Sequence, residues 1–393
     1  MKATTRSEPG FSLVAGGPAY RLQRRLGWTE PGALNLARRV ALCILLTWVP
    51  LAVITAVEGL AFGQSVRIPF FHDFQSYALF LAAIPLLILA ESAIERHLPR
   101  VAAHFVDSGL VRAADVRAYE SALARATRWR DSSVVEVVLL GLTILSVAIT
   151  YNEFPFDFST WRSVVSGSAH TRTVAGWWDL AVGRSLFQFL CWRWLWRLFI
   201  WYGFLARMSK LQLRLIPTHP DRAAGLGFVG DAQRFFWIIA LAISAAVAGG
   251  LANEVVYTGV PLNSYTFGIG GLVVLVLLVF LGPLLMFTPR LIDVRIRSEH
   301  DYSALALVHN LRFDGKWVQG DNPKGEQVLG TPDISSLADL GNAYDVLGRM
   351  RPIPFDPADA LALSVATLLP MAPLLLTVYP LDQILDLLWK VLV

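Results

Sequence analysis

The chain has 393 residues, of which 55% are hydrophobic and only 16% are charged, and its mean hydropathy is +0.51. This composition excludes an ordinary soluble domain and is typical of an integral membrane protein. The net charge of +4 is no sign of nucleic-acid binding, because most of the basic residues lie in polar segments between apolar runs, where they set the membrane topology.

Seven apolar runs are about long enough to cross ~30 Å of hydrocarbon at ~1.5 Å per residue. They predict spans at 40–62, 75–91, 133–151, 180–206, 235–253, 267–288 and 358–379. No short apolar core with a small-residue cleavage site precedes the first run, so we expect it to remain as an anchor. The sequence therefore predicts an all-α polytopic helix bundle with about seven transmembrane helices and a cytoplasmic helical cap.

The distribution of basic residues predicts the orientation of these spans. The tail 1–39 carries seven Lys and Arg, and the loops 92–132, 207–234 and 289–357 carry seven, five and eight. The segments on the opposite side carry four. The positive-inside rule then places the N-terminus in the cytoplasm and, with seven spans, the C-terminus outside.

This topology divides the chain into eight segments. They are a cytoplasmic tail (1–39), the first two spans (40–91), cytoplasmic helices (92–132), spans three and four with an outer loop at 152–179 (133–206), a cytoplasmic loop (207–234), spans five and six (235–288), a cytoplasmic helical segment (289–357), and span seven with a C-terminal amphipathic helix (358–393).

Two arginines near the middle of the fourth span are the strongest candidates for a functional site. Arg193 and Arg197 lie four residues apart in FLCWRWLWRLFIWYGF and so share one helix face. An arginine at the bilayer centre costs at least ~2.5–3.5 kcal/mol on insertion scales. The pair could bind backbone carbonyls freed at prolines, stack on Trp194, Trp196 or Trp201, line an aqueous anion pathway, or reach water from a re-entrant span.

Acidic residues near the inner face are the possible counter-ions. Glu91 and Glu136 lie close to the cytoplasmic ends of their spans and are expected to make cytoplasmic contacts. Counting residues along the helices leaves a depth gap of roughly 10 Å between Glu136 and Arg197. The sequence therefore predicts that the arginine pair has no acidic partner at its own depth.

Two cytoplasmic stretches carry a family resemblance. IPTHPDRAAGLGFVG at 216–230 and GTPDISSLADLGNAYDVLGRMRPIPF at 330–355 resemble the signature segments of a broad, uncharacterised family of bacterial multi-pass inner-membrane proteins. The resemblance extends over most of the chain, from the first span to the seventh. It implies a location in the bacterial cytoplasmic membrane and brings no known activity, substrate or cofactor.

The first of these stretches contains His219, Asp221 and Arg222 just inside the membrane. A His-Asp pair can act in acid/base chemistry or bind a metal, but no third ligand or nucleophile lies nearby, and we expect the pair to fix the loop. The glycines of GLGFVG follow no strand, so they do not predict a nucleotide site.

The second stretch predicts a helix over 333–349 with Asp333, Asp339 and Arg349 among its polar residues. We interpret its polar side as a solvated face, with docking on loop 92–132 or on a neighbouring subunit as the alternative. The two cysteines, Cys43 and Cys191, fall within predicted spans and are expected to be packing residues. No metal site and no cofactor is predicted.

The leading hypothesis for function is an anion channel or transporter with its basic midplane at Arg193 and Arg197, assembled as a homo-oligomer in the lipid bilayer. The oligomer is suggested by the small residues of the fifth span, the apolar stripe at 334–347 and the terminal amphipathic helix. The alternative is a non-catalytic scaffold or sensor that binds a partner through its cytoplasmic helices. An intramembrane enzyme acting through His219 is the least favoured hypothesis.

Overall fold

The computed structural model describes residues 11–25, 35–151, 153–167, 169–320 and 331–377. Its α-helices are α1 (Gly17–Arg25), α2 (Leu36–Val57), α3 (Phe74–Tyr77), α4 (Ile84–Asp107), α5 (Val116–Arg130), α6 (Ser133–Thr150), α7 (Val174–Trp178), α8 (Ser185–Met208), α9 (Phe228–Gln233), α10 (Trp237–Thr258), α11 (Thr266–Phe280), α12 (Thr288–Phe313), α13 (Pro332–Gly348) and α14 (Pro357–Leu368). Two strands, β1 (Ser163–Ser166) and β2 (Ala169–Arg172), pair in an antiparallel hairpin.

Shorter π or 3₁₀ turns extend or connect these helices. The π turns are Ala78–Ala83, Asp179–Arg184 and Asp314–Val318, and the 3₁₀ turns are Phe70–His72, Ala113–Asp115, Arg234–Phe236, Leu262–Tyr265, Gly282–Phe287 and Leu369–Thr377. The predicted all-α fold is confirmed. The predicted C-terminal amphipathic helix lies outside the described residues.

Six helical segments of the described chain are long and apolar enough to cross a membrane, which makes this an integral membrane protein. They are Leu36–Val57, Phe74–Asp107, Ser133–Thr150, Phe228–Thr258, Leu262–Phe280 and Pro357–Thr377. These correspond to six of the seven predicted spans. The predicted fourth span is also helical, as the 24-residue α8, but its arginines and tryptophans lower its mean hydropathy and it is not among the six.

The second spanning segment, Phe74–Asp107, is one continuous helical rod with a change of pitch. Asp73 caps its start, since its carboxylate accepts a hydrogen bond from the N–H of Gln75 at 3.0 Å. The π turn Ala78–Ala83 leads into α4, and Pro85 occupies the first turn of α4. Gly109, with φ +75°, follows the end of α4.

The small residues of α10 let another helix approach closely. A Cβ atom at Gly249 would lie 2.4 Å from the Cβ of Ala78 and 2.9 Å from the Cα of Gln75, so only glycine fits there. In contrast, α11 leaves large side chains such as Phe267 and Leu278 exposed. The fifth predicted span is thus closely packed against the start of the second, whereas the sixth leaves apolar side chains exposed.

Prolines shape the last described span. A capping box formed by Asp356 and Asp359 begins α14, and Pro370 and Pro373 lie in the 3₁₀ turn Leu369–Thr377 that follows it. The kink expected from these prolines is therefore present as a change from α to 3₁₀ pitch.

Two parts of the polar segments are more ordered than the sequence indicates. The outer loop contains the β1–β2 hairpin, and Trp161 of this loop is fully buried. At the N-terminus, residues 11–16 lie against the bundle, with Phe11, Leu13 and Val14 each at most 5% exposed. We call residues 11–16 the N-terminal segment. Its three apolar side chains account for its burial.

Candidate functional site

A group of four charged side chains lies buried between three helices, on the side that the sequence predicts to be cytoplasmic. Glu91 belongs to α4, Arg39 to the first turn of α2, and Arg193 and Arg197 to successive turns of α8. All four side chains are at most 9% exposed. We call these residues the inner cluster.

Glu91 is the common partner of the inner cluster. Arg197 donates from Nη1 to Oε1 of Glu91 at 2.7 Å, and Arg39 donates from Nη2 to Oε2. The guanidinium of Arg197 also lies over the ring of Trp194, 4.8 Å from its centroid. The two hydrogen-bonded arginines therefore use both carboxylate oxygens of Glu91.

Arg193 is held differently. Its Nη1 lies 3.9 Å from Oε1 of Glu91, too far for a hydrogen bond, and its guanidinium lies 5.9 Å from the ring centroid of Phe189. Within the described residues its guanidinium makes no hydrogen bond, although the residue is only 8% exposed. A guanidinium carries five N–H donors, so Arg193 requires further partners, from water in an adjoining space or from a ligand.

A small cavity adjoins Arg193. It has a volume of about 20 Å³, enough for about one water molecule. Its charged lining residues are Arg130, Glu136, Arg193 and Arg197, and its walls include Leu13 and Gly16 of the N-terminal segment. Of the three arginines around Glu91, Arg193 has the longest contact to the carboxylate, 3.9 Å, and it lines this cavity.

Three arginines on one glutamate leave the inner cluster with an excess of positive charge. Glu136 lines the same cavity from the first turn of α6, and Glu95 lies one turn further along α4 from Glu91. Glu95 is engaged by the N–H of Val14 at 3.2 Å. The excess therefore remains greatest around Arg193, which has no carboxylate in hydrogen-bonding distance.

The two tryptophans predicted beside the arginines have different surroundings. Trp194 supports Arg197 and donates from Nε1 to the carbonyl of Leu87 at 3.0 Å. Trp201 is fully buried in an aromatic group with Phe11 and Phe204. Trp194 therefore belongs to the site, whereas Trp201 belongs to the core beside it.

The predicted interface loop is organised around Asp221. Its carboxylate accepts hydrogen bonds from the N–H groups of Ala223, Gly225 and Gly227 at 2.8, 3.1 and 2.8 Å, and it lies 2.9 Å from Nδ1 of His219. Burial alone raises the pKa of Asp221, but these hydrogen bonds outweigh it and hold the pKa below its ordinary value. The pair fixes the loop.

The two stretches that carry the family resemblance meet at this loop. Arg351 donates its backbone N–H to the carbonyl of Arg222 at 2.7 Å and its Nη2 to the carbonyl of Asp221 at 2.9 Å. A Cβ at Gly230 would lie 2.4 Å from the carbonyl oxygen of Pro354. Arg222 has φ +56°, a conformation that the contacts around it must maintain.

The remaining predicted cytoplasmic residues lie on the α12–α13 hairpin, apart from the inner cluster. Asp333 accepts from Nζ of Lys316 at 2.8 Å and from Nε1 of Trp317 at 3.0 Å. Arg349 pairs with Asp345 within α13 at 3.0 Å. Asp339 is exposed on the same helix. These contacts hold the hairpin together.

A second buried charged group, on the side that the sequence predicts to be external, was missed by sequence reasoning. Arg162 pairs with Asp73 at 2.9 Å and with Asp179 at 3.0 Å, and Arg184 pairs with Asp179 at 3.0 Å. We call these four residues the outer cluster. The signal available in the sequence was weak: Asp73 and Asp179 each stand just before an apolar run. Arg39 was missed as well, because it reads as one more basic residue of the tail.

An apolar layer separates the two clusters along the spanning helices. Phe80, Ile84 and Leu87, which lie between Asp73 and Glu91 in sequence, are fully buried, as is Leu51 of α2. These side chains form buried apolar packing between the inner and outer clusters.

Within the described ranges, no group of three or more His, Cys, Asp or Glu residues is placed to hold a metal ion. Comparison with family models, with curated proteins and with solved structures gives no match. The functional argument therefore depends on the chemistry of the side chains.

Proposed function

We propose that this integral membrane protein binds a small anion at Arg193 and passes it across the membrane as a channel or transporter. The observation that carries the proposal is a buried guanidinium that lines a cavity and makes no hydrogen bond within the described residues. Buried basic residues without counter-ions mark anion pathways in membranes.

The chemistry of the inner cluster favours an anion with two or more oxygen acceptors. A guanidinium binds carboxylate or phosphate oxygens through parallel N–H groups. Such a ligand would supply the hydrogen bonds that Arg193 lacks and offset the excess positive charge around Glu91. Because the apolar layer at Phe80 and Leu87 is closed, passage requires a conformational change.

The proposed function includes a location and an orientation. We place the protein in the bacterial cytoplasmic membrane with its N-terminus in the cytoplasm and α8 as a seventh span. The asymmetry of the basic residues supports the orientation, and the resemblance of segments 216–230 and 330–355 supports the bacterial membrane. A glycosylation- or protease-accessibility map of the N-terminus and of the α12–α13 hairpin tests this topology.

Anion flux into liposomes tests the proposal. Chloride and inorganic phosphate are the probes, and Arg193→Gln is compared with wild type, with folding checked by size-exclusion chromatography. Losing a charge-assisted hydrogen bond of about 1.5–3 kcal/mol predicts a loss of roughly 10- to 100-fold in flux or apparent affinity. Arg297→Gln is the matched control, because Arg297 is 75% exposed on α12 and pairs only with Asp293.

Two results would overturn the proposal. One is a wild-type protein that gives no more flux than empty liposomes for either anion. The other is an Arg193→Gln variant that conducts as well as wild type. Binding of inorganic phosphate by delipidated protein, compared with retention of phospholipid in native mass spectra, separates a free anion from a lipid phosphate as the bound species.

A second candidate function is a scaffold that self-associates through the cytoplasmic hairpin. It is favoured by one apolar face of α12, where Leu307, Val308 and Leu311 are 61%, 48% and 64% exposed. Apolar surface of this kind on a helix outside the membrane is typical of an interaction site. We propose a second copy of the chain as the partner.

Mass measurement in detergent tests the self-association. Leu307→Glu combined with Leu311→Glu is expected to convert oligomer to monomer, whereas Asn310→Glu, which adds a charge at the edge of the same face, is expected to have less effect. A wild-type protein that is monomeric at all concentrations would refute this second function.

A further inference from the structure

The N-terminal segment is inserted into the cytoplasmic side of the bundle. Phe11 stacks on Trp201 and Phe204 with ring centroids 6.2 and 5.6 Å apart, and Leu13 and Val14 are both 2% exposed. The segment contains no regular helix, and α1 begins only at Gly17. The N-terminal segment is therefore an irregular stretch of chain whose side chains fill a space between helices.

Polar contacts at three points hold the N-terminal segment in place. The N–H of Val14 donates to Glu95 at 3.2 Å, and Nη1 of Arg130 donates to the carbonyl of Ser12 at 2.9 Å. The N–H of Gly17 donates to Oδ1 of Asp131 at 2.9 Å. These partners belong to α4 and to the junction of α5 and α6. The N-terminal segment therefore connects helices that are separate in sequence.

The N-terminal segment also forms part of the wall of the cavity at Arg193. Leu13 and Gly16 line that cavity together with Arg130 and Glu136. At Gly16 the fit is close, since a Cβ there would lie 2.2 Å from Nε of Arg130. The cavity is small because the N-terminal segment occupies the space beside it.

We propose that the N-terminal segment is a displaceable gate that closes access to Arg193 from the cytoplasm. The N-terminal segment is held in place by three apolar side chains and a few hydrogen bonds, whereas each surrounding span is a continuous helix. Segments with few contacts and no helical backbone open at lower free energy than the helices around them. As a gate for an anion, the segment rests on the proposed function, but its movement can be measured without any anion.

Cysteine accessibility measures the gate directly. The test chain carries Cys43→Ala, Cys191→Ala and Leu139→Cys, because Leu139 lines the cavity and is 6% exposed. A membrane-impermeant maleimide is applied to the full-length purified protein in liposomes from the cytoplasmic side. Adding Phe11→Ala with Leu13→Ala is expected to raise the labelling rate about tenfold or more, since the open state becomes more populated.

A second gate variant and two controls guard against unfolding as the cause. Gly16→Ala places a methyl group against Arg130 and is expected to displace the segment without removing its apolar anchors. Gly268→Ala, where a Cβ would meet nothing within 4 Å, and Phe267→Ala, at a side chain that is 95% exposed, are expected to leave the labelling rate unchanged.

The outcomes separate the gate from the proposed function. A rise in both labelling and anion flux in the gate variants supports both. A rise in labelling without flux in any variant supports the gate and overturns anion transport. Labelling that is equally slow in well-folded gate variants, or already rapid in the parent chain with its N-terminal segment intact, overturns the gate.

Discussion

The inner and outer clusters are built from the same chemical groups but differ in balance. In the outer cluster two aspartates face two arginines, every arginine has a carboxylate at 2.9–3.0 Å, and Trp161 adds a hydrogen bond to Asp73 at 2.7 Å. In the inner cluster one glutamate serves three arginines, and Arg193 remains at 3.9 Å.

This difference in charge balance gives the two clusters different roles. A balanced group with short contacts repays the cost of removing its charges from water and holds the surrounding segments in one arrangement. An unbalanced group leaves a net charge that a ligand of opposite charge can neutralise. The outer cluster therefore joins the outer loop to the spans, and the inner cluster is where we propose that an anion binds.

Glu91→Gln is expected to have the largest effect, since it leaves three buried arginines without a carboxylate. Breaking a buried ion pair in this way costs about 3–5 kcal/mol, and the expected value is at the upper end. Thermal and denaturant unfolding in detergent measure it. Asp345→Asn, which removes the acid of an exposed pair on α13, serves as control, and equal stability of both variants would contradict the importance of Glu91.

Arg162→Gln is expected to destabilise the protein next most strongly, by about 3 kcal/mol, because it removes the cation shared by Asp73 and Asp179. This loss should not be relieved by added phosphate, whereas anions bound at the inner cluster should stabilise wild type against heat. Relief of the Arg162→Gln defect by phosphate would contradict the contrast between the clusters.

Arg193→Met and Arg197→Met sharpen the comparison within one helix. Arg197 has a hydrogen bond to Glu91 at 2.7 Å, so its removal is expected to cost about 2–3 kcal/mol. Arg193 has no hydrogen bond to lose, so its replacement by an apolar side chain of similar length should change the unfolding free energy by less than about 1 kcal/mol. Unfolding of both variants under identical conditions decides this; equal losses would mean that Arg193 is a structural ion pair.

A small effect that depends on pH is expected at Asp221, which lies in a loop between the spanning segments. Its pKa is lower in the folded protein than in the unfolded chain, so its contribution is fully present above about pH 4 and is lost as the pH falls through the lowered pKa. Asp221→Asn should cost about 1 kcal/mol at neutral pH and should reduce the acid sensitivity of stability below about pH 4. An unchanged acid profile would contradict this assignment.

Much of the architecture could be predicted because apolar run length and helical geometry depend on local sequence. The arginine pair was found for the same reason: Arg193 and Arg197 interrupt an apolar helix. Their partner was not identified, since residue counting placed Glu91 at the membrane edge. In the structure α4 continues to Asp107, so Glu91 lies within a long helix and faces α8.

The parts that sequence reasoning missed depend on contacts between distant segments. The burial of Phe11 requires Trp201 and Phe204, nearly two hundred residues further along the chain. Asp73 and Arg162 likewise come together only after the outer loop has folded over the spans. Single side chains of this kind carry no periodic pattern from which their partners can be recognised.

The junction between Arg351 and the loop at Asp221 has a mechanical consequence. Because Arg351 is bonded to that loop while Gly230 of α9 contacts Pro354, the end of the α12–α13 hairpin and the approach to α10 are joined without a flexible link between them. A displacement of the hairpin, by a bound protein or by a neighbouring subunit, is therefore expected to move the loop around Asp221 with it.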